Sequence, residues 1–359
     1  MECYCHLQRT GLMLLLMEKS DYVDNIIEGD SAKKLKLFPD KSVHQIITSP
    51  PYWGLRDYGH AGQVGLEESL NDYISSLCDI FDQAKRVLRD DGTFWLNIGD
   101  SYVGNMSRTS KGRAGMGEER EGVFRRMPEG LQEKDLAGVP WRLALECQNR
   151  GWILRSDIIW AKTNPMPESV TDRCTKAHEY VFMFSKQRDY FFDAEPIREK
   201  SGSNKRDVWR YPSAHYAGAH FATFPEELII PMIQAGTSQH GCCSQCGAPY
   251  VREKELTEEY KAVRGDGYGD KDDFMDTGFR GVKPLNFSGQ KYRTTNWVAT
   301  CTCDDTVEPC IVMDIFMGSG TTAKVAKRCG RHYTGIELNP EYVAVINNRQ
   351  SLKQKELFI

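Results

Sequence analysis

The chain predicts a doubly wound α/β fold with a parallel sheet, on three observations. β-rich runs alternate with helical patterns along most of its length. A glycine-rich turn joins a strand to a helix near the C-terminus, and an acidic residue ends the strand after that. At 359 residues the chain is long enough for one large domain or two ordinary ones. With 40% apolar and 27% charged residues, it is neither wholly disordered nor collagen-like. Its 46 basic and 50 acidic side chains leave a formal charge of −4, so there is no global basic field and any nucleic-acid contact must come from local patches. The longest apolar run, Leu12 to Met17, is far too short to span a bilayer. Only Arg9 offsets Glu2 ahead of it and no small-residue cleavage site follows, so residues 1–17 read as a leader with Met17 an alternative start. The expectation is a soluble, cytoplasmic protein without a membrane partner.

Tyr22 to Ile27 alternates as a strand and ends at Gly29-Asp30, and Ala32 to Leu37 carries a short helical pattern. Val43 to Thr48 (VHQIIT) is a β-rich run stopped by Ser49-Pro50-Pro51. Tyr73, Ile74, Leu77, Ile80, Phe81, Ala84, Val87 and Leu88 recur at helical spacing. Asp91-Gly92 then predicts a turn into a strand over Thr93 to Ile98. Residues 101–135 hold six glycines, seven basic and six acidic residues, which predicts a mobile functional loop or insertion. Trp141 to Cys147 reads as helix and Trp152 to Trp160 as strand, with a strand pair expected from Tyr180 to Ser185 and Tyr190 to Phe192. Phe224-Pro225 opens a helix through Ile233, with Glu226 and Glu227 at its positive end. After an irregular block over 241–303 come strand Ile311 to Asp314, helix Thr321 to Cys329, strand His332 to Ile336 and a final helix from Pro340.

The turn Asp314-Ile-Phe316-Met-Gly318-Ser319-Gly320-Thr321-Thr322 lies between a strand and a helix, and its glycines let the backbone approach a ligand closely. Glu337 follows Gly318 by 19 residues at the next strand end, where a carboxylate takes ribose hydroxyls. The third glycine of the dinucleotide fingerprint is missing, which favours another adenosine-containing ligand over a pyrophosphate; a purely structural strand–turn–helix is the alternative.

Thr48-Ser49-Pro50-Pro51-Tyr52-Trp53 ends a strand where open α/β sheets place ligands. A nucleobase amino group is a poor nucleophile because its lone pair is delocalised into the ring. Ser49 Oγ and the Pro50 carbonyl can accept its N–H bonds and draw the nitrogen toward tetrahedral geometry, held in place by the stiff prolines. Tyr52 can stack on a base held out of the duplex. The bland alternative is a Pro-Pro stop with two surface aromatics.

These segments resemble the amino-group DNA methyltransferases that use S-adenosylmethionine, in the circularly permuted beta group whose catalytic motif precedes the cofactor motif. TSPPYW resembles the catalytic motif; DIFMGSGTT resembles the cofactor motif, with Ile315 in place of the usual proline; and GIELNPEYV resembles the ribose-binding strand end. Gly29-Asp30-Ser31, His178-Glu179-Tyr180 and Ala222-Thr223-Phe224-Pro225-Glu226 match further family segments in the same order, so the resemblance spans residues 22–349 apart from the two irregular blocks. It implies a Rossmann-like methyltransferase fold with a mixed seven-stranded sheet and helices on both faces. It implies that Ser49, Pro50, Pro51 and Tyr52 handle the target base. Asp314 would face the cofactor's amino group, and Phe316, Gly318, Ser319, Gly320, Thr321 and Thr322 its carboxylate or sulfonium region. Glu337 would take the ribose, Asp30 the adenine amine, and Phe224 with Pro225 would pack the other side. Serine at the first catalytic position resembles enzymes of cytosine N4, with adenine N6 the alternative and RNA or protein amines a further one. A noncatalytic DNA-binding module retaining the fold is the alternative of another class.

Six of the twelve cysteines lie in one segment. Cys243 and Cys246 form a CxxC, and Cys301 and Cys303 form a CxC after 54 intervening residues. These four predict a closed structural zinc site with Gly247 in the knuckle turn, Cys242 and Cys310 being alternate ligands and buried free thiols the alternative reading. The chain thus divides into a leader (1–17), a catalytic half (18–240) including the insertion 101–135, a Cys-rich insertion (241–304), and a cofactor half (305–359). Candidate contacts to double-stranded DNA are Trp53, Arg108, Lys111, Arg113, Arg125, Arg126, Lys205 and Arg206, with the Cys-rich block a third candidate region. A cognate restriction endonuclease or none, and a monomer or a homodimer, fit the resemblance equally.

Overall fold

Five parallel strands, one reversed strand and two more in the original direction build one eight-stranded sheet. The computed structural model describes residues 16–54, 62–103, 130–213, 224–264, 291–303 and 306–347. The first half contains α1 (Lys19–Tyr22), β1 (Asn25–Glu28), α2 (Ser31–Lys34), β2 (Val43–Thr48), α3 (Leu70–Val87), β3 (Leu88–Ile98) and α4 (Val139–Asn149). It continues with β4 (Ile153–Lys162), β5 (His178–Ser185), β6 (Val208–Tyr211), α5 (Glu226–Gly236), β7 (Cys242–Cys243), β8 (Tyr250–Leu256) and α6 (Glu258–Arg264). The last part has β9 (Tyr292–Ala299), β10 (Val307–Glu308), β11 (Ile311–Asp314), α7 (Thr321–Arg328), β12 (His332–Glu337) and a helix over 340–347. The sheet order is β1-β12-β11-β2-β3-β5-β4-β6, with β5 alone running against its neighbours.

Alternation along the central strands sends side chains into two cores, as expected where both faces are covered. Ile46, Phe94, Leu96, Phe182 and Met313 face α3 and α4, where Tyr73, Leu77, Phe81 and Leu143 meet them. Ile47, Trp95, Val181, Met183 and Val312 face α5 and α7, against Leu228, Ile229, Met232 and Val325. All the apolar positions that predict α3 are buried. Ser69 caps that helix by accepting the Asp72 N–H at 3.0 Å. Each such fully buried side chain contributes about 1.5–3 kcal/mol relative to exposure.

Several local expectations are corrected. The sheet has eight strands rather than seven, because Val208–Tyr211 adds an edge strand beside β4. Asp91-Gly92 is no turn: the chain leaves α3 directly into β3. The pairing with β2 jumps from Val43↔Leu88 to Gln45↔Thr93, and a Cβ at Gly92 would stand 2.7 Å from the His44 carbonyl, so the glycine permits a bulge inside the strand. Tyr22 to Ile27 splits into α1 and β1 at Asp24, whose φ of 55° breaks the run. Tyr190 to Phe192 forms no strand; Phe191 and Asp193 donate their N–H groups to Asp91 and Ala235. Most of the 101–135 insertion (104–129) and the first fifteen residues of the leader lie outside the described residues. Among the described residues no helix is long and apolar enough to cross a membrane.

Candidate active site

The carboxyl ends of the parallel strands bring the two predicted loops together. β11 and β2 are neighbours, with Met313 opposite Ile46, and their onward connections diverge, β11 toward β12 and β1, β2 toward β3. Ligands bind at such a switch point because the loops part there and leave a crevice. Thr48 at the end of β2 donates to Asp314 Oδ1 at 2.6 Å, and Thr322 in the first turn of α7 donates to Oδ2 at 2.7 Å. The Phe316 N–H also reaches Oδ1 at 3.0 Å. Asp314 is 1% exposed, and burial pushes its carboxyl up to about 7 despite these three donors. In this structure it lies beneath the glycine loop and ties that loop to the end of β2 through Thr48.

Glu337 closes the other side of the loop. Its Oε2 accepts from the Gly318 N–H at 2.7 Å and its Oε1 from the Asn339 N–H at 2.8 Å. β1 pairs with β12 so that Glu28 lies opposite Glu337, and the Gly29 N–H donates to the Glu337 carbonyl at 2.8 Å. That register brings Asp30 alongside, where it caps α2 through the Ala32 N–H at 2.8 Å. Gly318 has φ +55°, and a Cβ added there would find no neighbouring atom nearer than the Phe316 carbonyl at 4.0 Å. Two carboxylates, a cradle open to a ligand, and the half-exposed Ser319 and Thr321 suit the ribose and amino-acid ends of S-adenosylmethionine. Gly320, with φ +81°, begins α7 beneath Ile346; Pro225 is buried and Phe224 half-buried at the start of α5.

On the β2 side, Ser49 is half-exposed and Pro50 buried. The Tyr73 hydroxyl donates to the Pro51 carbonyl at 2.9 Å, and the Gly54 N–H to the Gly65 carbonyl at 2.7 Å. Tyr52 donates its hydroxyl to Glu179 Oε2 at 2.8 Å. That oxygen also accepts from Asn97 Nδ2 at 3.2 Å, while Lys162 pairs with Oε1. Burial, reinforced by the Glu179 charge, raises the Tyr52 phenol well above its ordinary range, so it stays neutral. Gly99 makes room for this arrangement: a Cβ there would stand 2.9 Å from Tyr52 Cε2 and 3.2 Å from Glu179 Cγ. Sequence reasoning missed Asn97, Gly99 and Lys162, and gave Glu179 no role. The one available signal was a glycine directly after a buried strand, which marks a close approach.

The candidate DNA contacts separate. Trp53, expected at the DNA, is 8% exposed and donates its Nε1–H to the Glu67 carbonyl at 3.0 Å, which anchors the loop from inside. Arg108, Lys111, Arg113, Arg125 and Arg126 lie outside the described residues. Lys205 rests its ammonium 5.0 Å from the Trp209 ring and 5.8 Å from Tyr211, and Arg206 is exposed beside it. Since Ile98, Tyr180, Ile159 and Val208 stand level across the sheet, this segment flanks the catalytic edge. The Cys-rich block instead begins at the opposite edge, where His44 and Arg89, at the starts of β2 and β3, meet Gly247 and Cys246.

The model of the DNA methylase family matches residues 43–243 and 306–348. The type II methyltransferase M.Cfr9I of Citrobacter freundii is 40% identical over 334 residues, covering 90% of this chain and 86% of that protein. The type II methyltransferase M.SmaI of Serratia marcescens is 37% identical over 336 residues, covering 90% and 89%. Among solved structures, the cytosine-N4-specific PvuII DNA methyltransferase aligns with a TM-score of 0.54 over 91% of this chain and 88% of its own, at 17% identity, which is a likeness of fold.

Proposed function

Because the chain belongs to the DNA methylase family of S-adenosylmethionine-dependent amino-methyltransferases, we propose that it methylates the exocyclic N4 amine of a cytosine flipped out of duplex DNA. When bound, S-adenosylmethionine supplies an electrophilic methyl group. The chain's own residues prepare the amine. Ser49 Oγ and the Pro50 carbonyl accept the two N–H bonds, which localises the lone pair on nitrogen. Tyr52 stacks on the base, and its neutral phenol is held by Glu179. As the N–CH3 bond forms the sulfonium S–CH3 bond would break, leaving S-adenosylhomocysteine, and the amine proton, made acidic by the new bond, would pass to solvent, so no strong base is needed. Asp314 carries register from the cofactor loop to Thr48, the residue before Ser49, so both partners are held by one buried carboxylate.

The observation that carries the cytosine reading is the half-exposed serine at the first position of the catalytic loop. Nucleoside mass spectrometry on mixed-sequence duplex DNA tests it: N4-methylcytosine supports it, and N6-methyladenine overturns the base assignment while leaving cofactor and site intact. Ser49→Ala is expected to slow single-turnover transfer by about 100-fold, the scale of losing one preorganised polar contact to a reacting group. The cofactor dissociation constant should change by less than about twofold, since Ser49 lies on the β2 loop and the cradle on β11 and β12.

A further inference from the structure

Four cysteine sulfurs, two from each end of the insertion, come together at the sheet edge away from the catalytic loop. Every pair among Cys243, Cys246, Cys301 and Cys303 lies within 4.8 Å. A tetrahedral ion with bonds of about 2.3 Å sets its four sulfurs about 3.8 Å apart, so small adjustments complete such a sphere. Disulfides would instead draw the sulfurs together two by two, and these cysteines are free thiols. The backbone has the matching knuckle: the Gly247 N–H turns back to the Cys243 carbonyl at 2.8 Å, with φ +69° at the glycine.

A second group, His44, Cys242 and Cys310, also lies within 4.8 Å but lacks a free histidine donor. His44 Nδ1 accepts the Ile311 N–H at 2.9 Å, so its proton sits on Nε2, which donates to the Gly247 carbonyl at 3.0 Å. Both ring nitrogens are used, and Cys242 and Cys310 are left as a buried thiol pair. The sequence had offered these two as alternate ligands; the structure separates them from the cluster of four.

We propose that Cys243, Cys246, Cys301 and Cys303 hold one structural zinc ion that closes the neck of the insertion. The neck otherwise rests on the two-residue ladder of β7 with β10 and on bonds such as Ser244 N–H to the Thr306 carbonyl at 2.9 Å. Beyond it the β8–β9 hairpin is pinned to the body by Arg252 on Asp193 at 2.5 Å. The knuckle fastens to the catalytic sheet through Arg89, which donates to the Cys246 carbonyl at 2.6 Å, and through His44. These contacts stand at the beginning of β2, while Ser49 follows its end, six residues or about 20 Å along the strand. Four thiolates leave no open position, so the ion has no part in methyl transfer. The assignment stands independently of the base that is methylated.

The test is metal analysis of the whole chain purified without chelator. One equivalent of zinc is expected, and titration of the thiols with a mercurial should release it. Cobalt exchanged into the site should show the absorption of a tetrahedral tetrathiolate. Cys301→Ser with Cys303→Ser should lose the metal, while Cys174→Ser and Cys310→Ala keep it. Metal removal should lower the melting temperature by roughly 5–10 °C. Less than half an equivalent of zinc in the unaltered chain, or its retention in the double variant, overturns the proposal. The cobalt spectrum of the unaltered chain decides the matter even if the double variant fails to fold, since absorption without the tetrathiolate signature overturns the ligand set.

Discussion

Replacing Glu179 by glutamine probes the contact that holds the Tyr52 ring proposed to stack on the target base. In the native arrangement one carboxylate oxygen accepts from the Tyr52 hydroxyl and Asn97, and the other meets the Lys162 ammonium. An amide cannot reproduce this. With its oxygen toward Tyr52, its NH2 faces a lysine ammonium that has only donors; with its oxygen toward Lys162, its NH2 faces the Asn97 NH2. Either way a charge-assisted hydrogen bond is lost in a half-buried setting, about 1.5–3 kcal/mol. If that energy appears as misplacement of Tyr52 in the transition state, single-turnover transfer on saturating DNA falls about 10- to 100-fold. S-adenosylmethionine affinity, measured by calorimetry, should stay within about threefold. Tyr52→Phe removes the same bond from the other end, so the double variant should fall little further than the worse single one. Adding Lys162→Met to Glu179→Gln should recover part of the loss by removing the unpartnered charge. A loss below about threefold in Glu179→Gln refutes the positioning role. So does a cofactor affinity that weakens in step with the rate, or strict additivity with Tyr52→Phe.

Two further outcomes follow from the same edge of the sheet. Gly99→Ala places a Cβ 2.9 Å from Tyr52 Cε2, so the ring must shift by about half an ångström; transfer rate should fall by about tenfold or more with cofactor binding retained, and unchanged kinetics would contradict the crowding. Asp314, raised to about 7 by burial, holds its proton in the folded chain at pH values where the unfolded chain has released it. Folding stability should therefore fall as pH rises from about 4 to 7 and level off above, by an amount on the order of a few kcal/mol. Asp314→Asn removes that slope, so melting temperatures of the two proteins across pH 5–8 should diverge; parallel curves would show that Asp314 is not titrating there.

Local signals made much of this protein legible in its sequence. The helical spacing over α3 marked the residues that are buried, and strand-ending prolines and glycines marked the two candidate loops that the sheet brings together, because these residue types restrict or free the backbone wherever they occur. The CxxC and CxC spacings likewise named the four sulfurs that converge. Elsewhere the local signal misled: Asp91-Gly92 has the composition of a turn, but the close approach of β2 makes it a bulge.

What the chain alone determined, then, is which segments are strands, helices and ligand loops, and which residue types each loop presents. Only the tertiary structure decided the partners. Thr48 meets Asp314 across 266 residues, and Tyr52 meets Glu179 across 127. Trp53 turns inward to Glu67, six cysteines divide into four and two, and the insertion springs from the edge opposite the catalytic loop. Such pairings depend on strand order and register. The order β11-β2-β3-β5 places these ends side by side, and the hydrogen-bonded ladders, not the spacing of residues along the chain, set which side chains face each other.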